Sequence, residues 1–157
     1  DLCRIWNGFY LTYTDDILCF LNNDVRIPPN FVSDTIAVFE KEPEVGCVCH
    51  IQGDPNKWSP ELHYRIPDKK FCQGFDFSIR HDAYIPIPDD IKVYGGDDYV
   101  FYKLYEKGWK VAVVLSSPII HLRAKSRKWY KYDRNEEMYT MMKYGCGHFP
   151  HGAYHVA

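Results

Sequence analysis

No apolar run in the 157 residues approaches the roughly 20 needed to cross a bilayer as a helix. The chain opens on Asp1 without the basic region and apolar core of a secretory signal peptide. No internal repeat and no low-complexity stretch is present. There is no P-loop, no G-x-S-x-G and no H-E-x-x-H, so the common signatures of nucleotide hydrolases, serine esterases and zinc proteases are missing. Charge of one sign is not in excess: the formal net charge is -2, which gives no general pull towards nucleic acid or an anionic membrane. The six cysteines, Cys3, Cys19, Cys47, Cys49, Cys72 and Cys146, form no C-x-x-C pair, which argues against a zinc ribbon or a thioredoxin-type motif. Four of them, Cys19, Cys47, Cys49 and Cys72, lie in strand-like runs. They read as buried thiols in a reducing compartment, and the expected localisation is cytoplasmic.

Hydrophobic residues make up 46% and charged residues 25%, the composition of an ordinary globular domain with a real core. Aromatic residues are abundant at 17%, including 13 tyrosines. Buried tyrosine needs a partner for its hydroxyl, and exposed tyrosine suits sugar or base faces.

The most informative stretch is Ile17-Leu18-Cys19-Phe20-Leu21-Asn22-Asn23-Asp24-Val25. Five apolar residues read as a strand buried on both faces, ending abruptly in two amides and a carboxylate. Open α/β sheets place ligands at the carboxyl ends of such strands. In an extended chain Asn22 and Asp24 point to the same side, where their oxygens can share a hard divalent cation such as Mg²⁺ or Mn²⁺. A simple polar turn, with Pro28-Pro29 following, explains the same residues without a ligand.

Before this strand, Arg4, Trp6, Phe9, Tyr10 and Tyr13 suggest one face of a short helix. After it, Phe31 to Glu40 is an amphipathic helix with Phe31, Thr35, Val38 and Phe39 on one face. Val45 to Ile51 is a second buried strand, so the three elements make a β-α-β unit. Gln52 to Lys70 is a polar excursion, on which Trp58, His63 and Tyr64 either contact a ligand or pack the loop down, packing being the favoured reading. Phe71 to Arg80 is strand-like. Gly74 there implies close approach to its backbone, and Asp76 either lines a cavity or faces solvent. Tyr94-Gly95-Gly96-Asp97-Asp98 opens a helix ended by Gly108. Acidic residues in a first turn cap the helix dipole, but one cap needs one carboxylate. The pair therefore reads equally as cap and as site, and a base here is expected to work by position rather than by a raised pKa. Lys110 to Leu115 is a strand, and Pro118 to Leu122 is a second apolar run that contains His121. That histidine is either structural or a third metal ligand. Arg123, Lys125, Arg127 and Lys128 form a basic run suited to phosphate or to solvent. Tyr132 to Tyr144 reads as a last helix, and the residues beyond it as a surface tail.

Taken together these pieces resemble the C-terminal two-thirds of a family 2 glycosyltransferase of the GT-A fold. The matching segments are Leu21-Asn22-Asn23-Asp24-Val25 with Pro28 for the D-x-D-like triplet, and Gly74 to Arg80 for the glycine-containing strand with its basic close. They continue with Gly96-Asp97-Asp98, Gly108-Trp109-Lys110-Val111 and Ile119-Ile120-His121, and end with Asp133 to Gly145 for the closing helix. The resemblance implies an α/β, GT-A-like mixed sheet flanked by helices, incomplete at its N-terminus. It implies a domain over residues 1–145 with a tail over 146–157. The implied activity is inverting transfer of a sugar from a nucleotide-sugar donor to an acceptor hydroxyl. Asp24, Asn22 and His121 would hold Mn²⁺ or Mg²⁺. Asp98 would be the general base, with Asp97 holding the acceptor or orienting Asp98. Gly74 would let backbone pass close to the sugar, and Arg123 and Lys125 would touch the diphosphate. Two departures stand out. The family's N-terminal third, with the aspartate that reads the base, has no counterpart here, so a partner chain or a further segment would supply it. The triplet also carries one carboxylate fewer than Asp-x-Asp. The competing reading is a non-catalytic sugar- or partner-binding module of the same fold.

Overall fold

The structure, a computed structural model, describes residues 1–93, 95–122 and 134–146. Its centre is a six-stranded mixed sheet. The strands are β1 (Ile17–Leu21), β2 (Val25–Arg26), β3 (Val45–Gln52), β4 (Tyr64–Arg65), β5 (Asp76–Arg80) and β6 (Lys110–His121). The order is β1-β5-β3-β6-β2, with β4 also paired to β6. β3 and β6 are parallel, while β5 runs antiparallel to both β1 and β3. The expected β-α-β unit is therefore present in direction, but β5 is inserted between its two strands.

Helices cover both faces. α1 (Leu2–Thr12) and α3 (Gly96–Glu106) lie on one side, and α2 (Phe31–Lys41) on the other. On the first side Trp6 packs on Phe20 and Phe77, and Phe101 meets Phe77 edge-on. On the second side Val38 and Phe39 of α2 pack on Val45, Val48, Ala112 and Val114. α4 (Arg134–Lys143) closes the described chain. Among the described residues no helix is long and apolar enough to cross a membrane.

A bulge at Gly46 sets which side chains face which layer. Val45 pairs with Lys110, whereas Cys47 pairs with the very next residue, Val111. The extra residue shifts the alternation, so Val45 and Val48 share the α2 side while Cys47 and Cys49 share the α1/α3 side. Gly46 is required because a Cβ there would lie 2.8 Å from Trp109 Cγ. α3 ends in a Schellman motif at Gly108, whose φ is 85°. Gly108 N–H donates to Tyr105 C=O and Trp109 N–H to Leu104 C=O.

Several sequence expectations change. β1 is not buried on both faces: Leu18 and Phe20 are covered while Cys19 and Leu21 are exposed, because β1 is an edge strand. Cys19 is thus an exposed thiol, unlike the five buried ones. Only Asp76–Arg80 of the Phe71–Arg80 run is strand. The two apolar runs of residues 110–122 fall in one strand, β6, which is irregular where Leu115 and Ser116 donate to His63 C=O. In α1, Trp6 and Tyr10 face the core, but Arg4, Phe9 and Tyr13 do not. Cys146 is buried in the core.

Gly46→Ala should lower stability by about 1–3 kcal/mol through the clash with Trp109. Chemical denaturation of the single variant and of Gly46→Ala with Trp109→Leu checks this, the second change recovering part of the loss.

Candidate functional site

The carboxyl ends of β1 and β6 meet through β2. Val25 pairs with His121 and Arg26 with Ile120. Leu122 N–H donates to Asp24 C=O at 2.9 Å. This antiparallel ladder sets His121 Nε2 3.2 Å from Asp24 Oδ1. Residues almost a hundred positions apart are thus brought together by two strand pairs. The His121 ring stacks on Phe75, with centroids 4.8 Å apart. Asn22 sits at the end of β1 with its N–H donating to Phe75 C=O at 3.0 Å.

A second cluster forms at the start of α3. Gly95, with φ of 81°, is the N-cap and supplies no side chain, so neither aspartate serves as the cap. Asp97 and Asp98 converge on Cys72: one ligand-type atom from each lies within 4.8 Å of the others. Cys72 Sγ donates to Asp98 Oδ1 at 3.4 Å. Asp98 is only 8% exposed. Burial, followed by repulsion from Asp98, pushes the Asp97 carboxyl up to about 7. The helix dipole and nearby backbone N–H groups act the other way and lose. The expectation that a base here has no raised pKa therefore fails at Asp97. Burial and the negative charges of Asp97 and Asp98 likewise push the Cys72 thiol well above its ordinary range.

Residues 71–75 join the two clusters. Cys72 touches Asp98. Gly74 faces Asp97: a Cβ on Gly74 would overlap the Asp97 carboxylate, so the group close to this backbone is a side chain of the protein itself. Phe75 touches both His121 and Asn22. The segment is held from both ends. Tyr105 Oη accepts from Phe71 N–H at 2.8 Å and donates to Phe71 C=O at 3.1 Å. Gln73 Nε2 donates to His50 C=O at 3.0 Å and also to the Asp76 carboxylate.

Beneath this lies a polar network that the sequence did not reveal. Asp76 and His50 are fully buried. His50 Nδ1 lies 2.9 Å from Asp76 Oδ2, and His50 N–H donates to the same oxygen at 3.1 Å. His50 Nε2 is 3.4 Å from Thr35 Oγ1, and the ring packs on Phe31. Asp76 therefore neither lines a cavity nor faces solvent. Burial raises its carboxyl pKa, and the bonds from His50 and Gln73 pull it back down. His50 sits within an apolar strand pattern, and only its pairing across the sheet with a distant aspartate distinguishes it from a filler.

The sequence-predicted residues thus divide. Asp24 and His121 come into contact, Asn22 lies beside them on Phe75, and Asp97, Asp98 and Gly74 come together at α3. Arg123 and Lys125 lie outside the described residues, as do the tail histidines His148, His151 and His155.

Two outcomes follow. Asp76→Ala leaves His50 and Gln73 with unsatisfied buried polar groups and should cost about 3–5 kcal/mol in a urea titration. The folded state binds the Asp97 proton more tightly than the unfolded chain does. The stabilisation from that proton is present below the ordinary aspartate pKa near 4 and is lost as pH rises through about 7. The urea midpoint should fall across that window. Asp97→Asn should flatten the fall, leaving the part due to Asp76, whose pKa is also raised.

Comparison with known proteins gives little beyond the architecture. No family model and no curated protein matches this sequence. Among solved structures, the crystal structure of A197 from STIV is similar, with a TM-score of 0.53 and 17% identity. The match covers 78% of this chain and 66% of that one, so the chain spans just under two thirds of its structural neighbour. At that identity the likeness concerns the fold alone: a mixed α/β sheet flanked by helices.

Proposed function

We propose that this chain is the catalytic core of a metal-dependent glycosyltransferase of the GT-A type, moving a sugar from a nucleotide-sugar donor to an acceptor hydroxyl with inversion. One observation carries the reading. Residues 71–75 lie against both an Asp–His pair of metal-ligand type and a partly buried carboxylate dyad. A transfer of this kind needs charge neutralisation at the leaving group and a base at the attacking hydroxyl, in a fixed relation.

The donor set fits a divalent cation. Asp24 offers a carboxylate, His121 an imidazole and Asn22 an amide oxygen, a mixture that suits Mn²⁺ or Mg²⁺. Such an ion, when bound, supplies positive charge that offsets the departing diphosphate. Ring stacking on Phe75 holds His121 in place, and the β2–β6 ladder fixes Asp24 beside it. Arg123 and Lys125, outside the described residues, carry charge suited to the same phosphates.

At the other cluster, Asp98 takes the proton of the acceptor hydroxyl as it attacks the anomeric carbon. Asp97 lies beside it with a carboxyl near 7, within the range useful for acid–base work at neutral pH. Gly74 leaves room for the Asp97 carboxylate, which a Cβ at that position would displace. The non-catalytic alternative keeps the same fold and lacks turnover. The open edge at β1 is the observation that favours it.

Calorimetric titration with nucleoside diphosphates and nucleotide sugars, with and without Mn²⁺, tests the proposal. Binding should require the ion and should weaken at least about tenfold in Asp24→Ala. In a turnover assay Asp98→Asn should lose about 10²–10⁴-fold in rate, while Asp97→Asn should shift the acid limb of the pH profile. Ion-dependent binding without any turnover would support the binding module. A folded chain that binds no nucleotide would overturn both the donor site and the activity.

A further inference from the structure

Cys72 lies against the carboxylate dyad without taking part in the chemistry proposed for it. It is 4% exposed, among apolar neighbours of the α1/α3 side such as Phe71, Phe101 and Leu104. A buried cysteine behaves as a small hydrophobe, and by burial alone Cys72 is a filler. Two observations set it apart. Its Sγ donates to Asp98 Oδ1 at 3.4 Å. Its backbone is also held on both sides: Tyr105 Oη is bonded to the N–H and the C=O of Phe71, and Gln73 Nε2 donates to His50 C=O. With one carbon between backbone and sulfur, a single rotamer then decides where the thiol sits.

The chemistry of a thiol suits this place. Burial, followed by the negative charges of Asp97 and Asp98, keeps Cys72 well above the ordinary thiol range, so it stays protonated and remains a donor. A neutral, weak donor orients a carboxylate without adding positive charge beside it. A lysine or arginine in the same place would favour the ionised form strongly and so weaken a base. The thiol bond engages one oxygen of Asp98 and thereby fixes the plane of the carboxylate.

We infer that Cys72 is the positioning residue of Asp98: its thiol fixes the orientation in which the Asp98 carboxylate meets the acceptor hydroxyl. The inference rests on the reading of Asp98 as the general base. Cys72 acts through Asp98 and not on the substrate. The order of support runs inward from the network to the base. Tyr105 and Gln73 hold the backbone on either side of Cys72, the backbone places the sulfur, and the sulfur holds the carboxylate. A base supported in this way keeps its geometry without spending a charged partner on it.

Infrared difference spectra of the S–H stretch test the bond without any assay of activity. Wild type minus Cys72→Ser, or minus Cys72→Ala, isolates the Cys72 band. It is expected below the frequency of an unbonded thiol. Asp98→Asn should move it upward, because an amide oxygen is a weaker acceptor than a carboxylate. Turnover of variants at position 72 tests the role, with circular dichroism to show that each is folded. Cys72→Ala and Cys72→Val, which lack the donor, should lower kcat roughly 10–100-fold at unchanged KM. Cys72→Ser, a donor but less apolar than either, should restore most of the rate. A packing role predicts the reverse order, with serine the worst of the three. A Cys72 band that ignores Asp98→Asn would overturn the inference, and so would a set in which serine is no better than alanine. A wild-type chain that shows the infrared shift but turns nothing over supports the thiol's hold on Asp98 and overturns the activity instead.

Discussion

The buried contact between Asp76 and His50 is the constraint on which the rest of the site depends. It ties the start of β5 to the upper half of β3, and it accepts Gln73 from the segment that follows the long excursion. A carboxylate taken wholly out of water is tolerable only when its lone pairs are occupied, and here backbone, imidazole and amide donors occupy them. Replacing the network with apolar side chains would satisfy the core equally well. It would not, however, specify where residues 71–75 run. The network's role is therefore positional, since those five residues lie against His121, Asn22, Asp97 and Asp98.

The site itself is a balance of unfavourable electrostatics. Two aspartates at the start of α3 are pressed together with a buried thiol. The helix terminus favours their charge, but burial and mutual repulsion outweigh it at Asp97, where the carboxyl reaches about 7. Gly74 permits that crowding because it has no Cβ to push the carboxylate away. At the opposite end of the same segment, Phe75 serves the Asp24–His121 pair through an aromatic stack. A displacement of this segment by one residue would take Cys72, Gly74 and Phe75 away from their neighbours in both clusters.

The sheet has two different ends. At one, β2 and β4 pair with β6. At the other, β1 is paired on one side alone among the described residues, by β5. β1 leads directly into Asn22 and Asp24.

The residues themselves determined a good deal. The apolar run ending in Asn22-Asn23-Asp24, the paired aspartates after Gly95-Gly96 and the apolar run that contains His121 were all visible, because chemical groups at strand ends and helix starts stand out against a periodic background. The glycine stop at Gly108 was readable because a positive φ demands that residue. What the sequence could not decide was which strand lies beside which. The insertion of β5 between β1 and β3, the bulge at Gly46 and the partner of His50 all depend on pairings between distant segments. A local pattern carries no record of those pairings. Asp76 shows the limit most plainly. In sequence it alternates with phenylalanines like any solvent-facing residue, and only the antiparallel neighbour across the sheet turns it inward onto His50. Tertiary structure likewise raised the Asp97 pKa, since burial and the approach of a second carboxylate arise only when the chain has folded.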